Sequence, residues 1–209
     1  MKSKTVLLIG GVSHTGKSTI AQSVADYVGY RFLGYNYIST DKLARHPGRP
    51  WQPQLTDIPK HVIEHYQLLT TDELVENVLN HYSTNVWPRI EDILTDHTTN
   101  IPSGKMAIEG SALLPELVAN LKFDNVASIW LTASNEFLRQ RIYQSSQYAT
   151  KSSFEQMLID KFFQRNCLLN DRIINDVDRL GLVSFNVEQV STPGEWIHKA
   201  PLAAVNFQP

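Results

Sequence analysis

The sequence predicts an α/β fold in which helices cover both faces of a parallel sheet. Short apolar runs typical of buried strands alternate along the chain with longer stretches of helical periodicity. The first apolar run leads into a glycine-rich turn, and a helix start follows that turn directly. With 209 residues, of which 42% are hydrophobic, the chain is long enough for a single domain with a sizeable core.

The first unit is a strand over about residues 4–9, a turn, and a helix over about residues 17–28. The turn matches the G-x-x-x-x-G-K-[ST] pattern of phosphate-binding loops, and it lies between a strand and a helix, as that motif requires. Its two glycines permit the backbone angles that point successive N–H groups inward. We expect it to bind ATP, with the lysine on the phosphates and the serine on Mg²⁺. The residues concerned are Gly11, Val12, Ser13, His14, Thr15, Gly16, Lys17, Ser18 and Thr19.

The later elements follow from apolar periodicity and from the breakers between them. Residues 30–34 are aromatic-rich and strand-like, whereas residues 45–53 contain too many prolines and glycines for regular structure. Residues 71–97 have a helical pattern, within which Pro88 begins a second helix. Further strands are predicted at 105–110, 126–131 and 182–187, and further helices at 113–121, 135–145 and 154–174.

Ligands of parallel sheets bind beyond the carboxyl ends of the strands, which directs attention to two acidic residues. Asp41 ends the segment Ser39-Thr40-Asp41 and is placed to orient or deprotonate an acceptor hydroxyl. Glu109 ends the strand at 105–110 and can position metal-bound water or contact the substrate. Each has a structural alternative, since Asp41 can be a helix N-cap and Glu109 can cap the following helix.

Five arginines are candidates for binding anions. Arg45 and Arg49 lie in the breaker-rich loop, where they would suit a phosphate or carboxylate unless that loop is merely solvated. Arg139 and Arg141 are two residues apart on a helix, so only one of them is expected to face the phosphates. Arg165 on the next helix could join it there. Pairing with local acids is the structural alternative for each.

Charge and composition restrict the partners. A net charge of −2 provides no field that would attract nucleic acid or an anionic membrane surface. The single cysteine, Cys167, excludes an internal disulfide, and no stretch has the length of a membrane span. We therefore expect a cytoplasmic protein with a small-molecule substrate, either a monomer or a homodimer.

Together, the loop at Gly11–Thr19, the Ser39–Asp41 and Ile108–Gly110 segments and the helix with Arg141 resemble the small P-loop kinases. That group includes nucleoside-monophosphate, gluconate, shikimate and uridine kinases. The two short segments are also similar to 2-phosphoglycerate kinase-type proteins. His14 departs from the group, because many of these kinases have glycine at that position.

This resemblance implies a P-loop NTPase fold, a three-layer α/β/α sandwich around a five-stranded parallel sheet. It further implies a helical substrate-binding insert at about 42–100, a lid at about 140–155, and an adenine-contacting loop at about 188–194. In such a protein Lys17 and Ser18 hold the phosphates and Mg²⁺. Asp41 then meets the acceptor, and Arg141 stabilises the group being transferred.

The leading hypothesis is an ATP-dependent kinase that transfers the γ-phosphoryl group to a hydroxyl or phosphate of a small anionic metabolite. The alternative is a nucleotide-binding sensor that transfers nothing. A GTPase switch requires a guanine-specifying N-K-x-D motif, which the sequence lacks. A polynucleotide kinase is disfavoured by the acidic charge balance.

Overall fold

A single parallel sheet organises the structure, a computed structural model that describes residues 5–28, 30–34, 60–99, 105–192 and 195–196. Five strands pair in the order β2-β3-β1-β4-β5, and every pairing is parallel. The five-stranded parallel sheet is therefore confirmed. The strands are β1 (Val6–Gly10), β2 (Tyr30–Gly34), β3 (Lys105–Glu109), β4 (Val126–Thr132) and β5 (Ser184–Asn186).

Seven α-helices connect and flank these strands within the described ranges. The first helix has the predicted bounds, the fifth is shorter than predicted, and the last extends beyond its predicted end at residue 174. The second helix has no counterpart among the predicted elements. The helices are α1 (Lys17–Val28), α2 (Lys60–Leu68), α3 (Thr71–His81), α4 (Trp87–Thr99), α5 (Pro115–Ala119), α6 (Asn135–Ser145) and α7 (Ser153–Arg179).

The direction of the crossovers determines which face of the sheet each helix covers. The connection from β1 to β2 runs toward one edge of the sheet, whereas the connections after β2 run toward the other edge. Because strand-to-strand crossovers in parallel sheets are right-handed, α1 lies on one face and the helices of the later crossovers lie on the opposite face. This arrangement gives the three layers that the sequence predicts.

The core is centred on β1, which pairs with β3 on one side and β4 on the other. All five residues of β1 are buried, and Val6 to Ile9 are completely inaccessible to solvent. A strand covered on both faces needs a continuous apolar run rather than an alternating one, which is what the sequence has here. The carboxyl end of this rigid strand carries the phosphate-loop motif.

The helical region at 71–99 contains an irregularity that sequence periodicity does not reveal. Thr70 begins α3 with a capping box in which its side chain and that of Glu73 each accept from the other's backbone. Between α3 and α4, residues Tyr82–Val86 form a π-helical turn. Pro88 lies just after this turn, in the first turn of α4, where its missing N–H is tolerated. Such π-turns are frequent at functional sites.

Helix α7 is the longest element, with 27 residues. Ser152 and Glu155 form its capping box, and it packs against α3, α6 and β4. Among the described helices, none combines the length and apolar character needed to cross a membrane.

Candidate active site

The glycine-rich turn lies at the carboxyl end of β1, the central strand. Residues 11–16 connect Gly10, the last residue of that strand, to Lys17, the first residue of α1. The first N–H groups of α1 lack intrahelical partners, and the positive end of its dipole faces the loop. A loop with this placement is suited to bind a polyphosphate.

The two motif glycines have conformations that other residues rarely adopt. Gly11 has a φ of 134°, and a Cβ there would lie 2.4 Å from the carbonyl oxygen of Leu131. Gly16 has a φ of 87°, with the Arg141 guanidinium 3.2 Å from the position a Cβ would take. Side chains at either position would therefore distort the loop or displace its neighbours.

Lys17 is 3% exposed, and its Nζ donates a 2.7 Å hydrogen bond to the carbonyl oxygen of Val12. The Thr15 hydroxyl donates to the same oxygen at 2.9 Å, which fixes that peptide. Burial lowers the pKa of Lys17 to about 8, and the charge of Glu109 only partly offsets this effect. An anion bound beside the ammonium would offset the rest of the cost of burying this charge.

The Ser18 side chain, in the first turn of α1, contacts the Glu109 side chain at the end of β3. The Ser18 hydroxyl donates to Oε1 of Glu109 at 2.9 Å. Glu109 is the last residue of β3, opposite Ile9 of β1, and it is 1% exposed. Its Oε2 is buried and has no hydrogen-bond partner among the described residues. A buried carboxylate oxygen of this kind is available to a cation or to a water molecule.

A side chain from α7 orients one peptide of the loop. Asn166, which is 1% exposed, donates from Nδ2 to the carbonyl oxygen of Ser13 at 3.1 Å. A trans peptide points its C=O and its N–H in opposite directions. The N–H of His14 therefore points away from α7. Sequence reasoning did not identify Asn166 as part of the site.

The two neighbouring arginines of α6 have different partners. Arg139 forms an ion pair with Glu136 on the exposed side of the helix. Arg141 stacks over the Phe137 ring at 4.6 Å and donates from Nη1 to the carbonyl oxygen of His14 at 3.4 Å. Only Arg141 therefore lies against the phosphate loop, as expected for residues two apart on a helix.

Helix α7 also carries a buried arginine. Arg165 is 3% exposed, donates from Nη1 to the Tyr66 hydroxyl at 2.7 Å, and stacks over the Phe162 ring at 4.5 Å. Within the described part of the chain, its Nε has no hydrogen-bond partner and no carboxylate forms an ion pair with it. Buried charges are normally paired, so this guanidinium favours the approach of an anion.

Two tyrosines line the space around Arg165. Burial raises the pKa of Tyr66, while the nearby Arg165 charge opposes that effect. Burial likewise raises the pKa of Tyr82, against the opposing effects of the Arg165 charge and the nearby Ser111 hydroxyl. Tyr82 opens the π-helical turn, and Ser111 lies just beyond β3. Both phenols are therefore protonated at neutral pH.

Sequence reasoning identified Arg165 but not its two aromatic neighbours. A signal for Arg165 exists, because it falls on the same helical stripe as Leu158, Phe162 and Leu169, which are all buried. A charged residue in an apolar stripe requires a partner. No comparable local signal identifies Tyr66 or Tyr82.

The remaining sequence predictions concern residues 41–49 and 188–194. Asp41, Arg45 and Arg49 are outside the described residues. In the predicted adenine-contacting loop, Glu188 accepts hydrogen bonds from the backbone N–H and the hydroxyl of Ser134, at 2.6 and 3.0 Å. Glu188 thus caps the start of α6, where a carboxylate also complements the helix dipole.

No protein-family model and no curated protein sequence matches this chain. The solved structures do contain similar folds. A gluconokinase from Sinorhizobium meliloti 1021 superposes with a TM-score of 0.53 at 16% identity, covering 95% of this chain and 90% of its own. A deoxyadenosine kinase from M. mycoides with bound dATP gives a TM-score of 0.49 at 15% identity, covering 92% and 97% of the two chains.

A shikimate kinase from Aquifex aeolicus has a lower TM-score of 0.45 at 11% identity, with 95% of each chain covered. Identities in this range establish a shared fold and no more. The order of the strands, the phosphate loop and the similarity to the gluconokinase agree with one another. The chain therefore has the fold of the small P-loop kinases.

Proposed function

We propose that the protein is an ATP-dependent small-molecule kinase that transfers the γ-phosphoryl group to a hydroxyl or phosphate of an anionic metabolite. The main support is that a phosphate loop, an oxygen-rich pair and two cationic side chains converge at one edge of the sheet. The loop contributes Lys17, the pair is Ser18 and Glu109, and the two cationic side chains are Arg141 and Arg165. Positioning and charge neutralisation are what phosphoryl transfer requires of a protein.

The donor side of the site would hold ATP. Lys17 and the loop N–H groups would bind the phosphates, and Arg141 lies close enough to the loop to neutralise charge on the transferring group. The proposed adenine contact is the chain around residues 188–194, by analogy with the small P-loop kinases.

The Ser18 hydroxyl and the Glu109 carboxylate suit Mg²⁺, since both are oxygen donors and Glu109 retains a buried oxygen without a partner among the described residues. Bound there, Mg²⁺ would neutralise phosphate charge during the reaction. Glu109→Gln should raise the Mg²⁺ concentration required for half-maximal turnover by about tenfold. An unchanged Mg²⁺ requirement would exclude Glu109 from the metal site.

The acceptor side would lie at Arg165. A buried guanidinium that lacks a carboxylate in the described part of the chain binds a phosphate or carboxylate favourably. The Tyr82 hydroxyl, which lies near the Arg165 charge, would donate to the same anion. We propose that Asp41 orients or deprotonates the accepting hydroxyl, with Arg45 and Arg49 as further anion contacts. These three assignments rest on the sequence alone.

The decisive experiment screens acceptors in two steps. Thermal shifts with a non-hydrolysable ATP analogue and Mg²⁺ are measured first, alone and with hydroxy acids, sugar phosphates and nucleosides. ADP formation is then measured for every compound that stabilises the protein. ATP-dependent phosphorylation of one class supports the kinase. Tight ATP binding with no transfer across the panel would favour the sensor, and absence of nucleotide binding would reject both.

A further inference from the structure

His14 forms a side-chain connection between the phosphate loop and α6. Its φ of 70° lies in the left-handed region, which glycine adopts readily and histidine seldom does. Its imidazole Nε2 lies 3.0 Å from the Ser145 hydroxyl oxygen, at the last residue of α6. The edge of the same ring meets Phe162 of α7 at a centroid distance of 6.0 Å.

The neighbouring hydrogen bonds determine the direction of this contact. The Ser145 hydroxyl has one proton, and it lies 3.1 Å from the carbonyl oxygen of Ile142, which can only accept. The Ser145 oxygen therefore accepts from His14, and Nε2 is the protonated ring nitrogen. Burial, together with the charges of Lys17, Arg141 and Arg165, lowers the pKa of His14 to about 4. The imidazole is thus neutral at pH 7.

Ser145 and Arg141 are four residues apart and share one face of α6. A hydrogen bond that holds Ser145 against the loop therefore also holds the Arg141 guanidinium beside the loop. The Arg141 guanidinium stacks on the Phe137 ring and donates a hydrogen bond to the His14 carbonyl oxygen. His14 contacts this helix at two points, through its ring and through its carbonyl oxygen.

We infer that His14 is a positioning residue: its hydrogen bond to Ser145 holds the Arg141 face of α6 on the phosphate loop before ATP binds. This role rests on the proposed kinase function. It also accounts for a histidine in a left-handed conformation that glycine would adopt without strain. A loop with glycine at position 14 would bind phosphate equally well but would leave α6 without this attachment.

Two variants remove the attachment from opposite ends. His14→Gly keeps the left-handed conformation accessible, and Ser145→Ala leaves the loop untouched. Each should lower kcat on the order of tenfold, with the KM for ATP within about twofold of wild type, because the loss is one of orientation. Ser146→Ala is the matched control, because among the described residues that hydroxyl bonds only to the Tyr143 carbonyl of its own helix.

Dependence on Arg141 distinguishes positioning from general loosening of the fold. In an Arg141→Met background, Ser145→Ala should change kcat by less than about twofold, since the group that it positions is already absent. An undiminished effect of Ser145→Ala in that background would overturn the inference, as would a wild-type kcat in the single variant.

Hydrogen exchange tests the attachment without turnover. In the ligand-free protein, amides 142–146 should exchange roughly tenfold faster in His14→Gly and Ser145→Ala than in wild type or Ser146→Ala. Unchanged exchange overturns the inference whatever the kinetics show. Faster exchange in a protein that phosphorylates no acceptor would support the attachment and overturn the proposed function instead.

Discussion

The two sides of the proposed site are built in different ways. The donor side is built mainly on one contiguous stretch, residues 11–18, which acts largely through its backbone and one lysine, and only Glu109 and Arg141 are added from elsewhere in the chain. The acceptor side is assembled from side chains far apart in the chain, such as Tyr66 and Arg165, 99 residues apart. A contiguous backbone site is encoded in local sequence, whereas a dispersed site exists only after the helices pack. The predictions below test the two sides separately.

The largest effect is expected on the donor side. Lys17→Ala should lower ATP-dependent turnover by about 100- to 1000-fold, because the variant loses the buried charge proposed to contact phosphate. Its melting temperature without nucleotide should not fall, since burial of the ammonium already opposes ionisation. Steady-state kinetics and a thermal melt give both values, with the exposed Lys122→Ala as control. Retained turnover would mean that the loop is not the ATP site.

The acceptor side should respond differently. Arg165→Met should raise the KM for the acceptor about 10- to 100-fold while leaving ATP affinity unchanged, since a hydrogen-bonded charge is removed from one ligand only. Arg172→Met is the matched control, because Arg172 is an exposed arginine of the same helix paired with Glu76. If ATP affinity falls and the acceptor KM does not, Arg165 belongs to the donor side.

The pH dependence should separate the two sides again. The pKa of Lys17 is lowered to about 8, so the free enzyme loses this charge as the pH rises through 8. The value of kcat/KM for ATP should therefore decrease about tenfold for each pH unit above that point. Acceptor binding at Arg165 should not share this decrease, because arginine stays protonated. A flat profile between pH 7 and 9.5 would contradict the effect of burial on Lys17.

The smallest effect concerns stability in acid. The pKa of His14 is about 4 in the folded protein and about 6.5 when unfolded, so the unfolded chain binds more protons between these values. Stability should therefore be lost as the pH falls from 6.5 toward 4. At pH 5 this loss should be about 1–2 kcal/mol smaller in His14→Gly, as measured by urea unfolding.

Much of the fold follows from local patterns. The apolar run of β1, the motif glycines and the bounds of α1 are all encoded within about 25 consecutive residues. The π-helical turn cannot be predicted from local sequence, because one extra residue in a helical turn changes the periodicity without changing the types of residue present. The sequence therefore predicts the helices on both sides of Tyr82 but not the direction of its side chain.

Local sequence does not predict helix α2, for a related reason. It has nine residues, too few for stability on its own, and follows a segment rich in helix breakers. Packing against α7 stabilises it, and Lys161 of α7 donates at 2.6 Å to the Tyr66 carbonyl oxygen near its C-terminal end. A basic side chain supplied there by a residue 95 positions away cannot be predicted from local sequence.

The way α7 is attached has a mechanical consequence. Over three successive turns, Phe162, Asn166 and Asn170 contact the phosphate loop or the carbonyl of Ala133 at the base of α6. Neither α6 nor α7 can therefore swing as a rigid arm without breaking these contacts. Movement between them must be taken up by residues 146–152, where Gln147 already has a left-handed conformation. In the proposed kinase, closure over ATP would therefore be a short movement of residues 146–152, with α6 and α7 as a fixed frame.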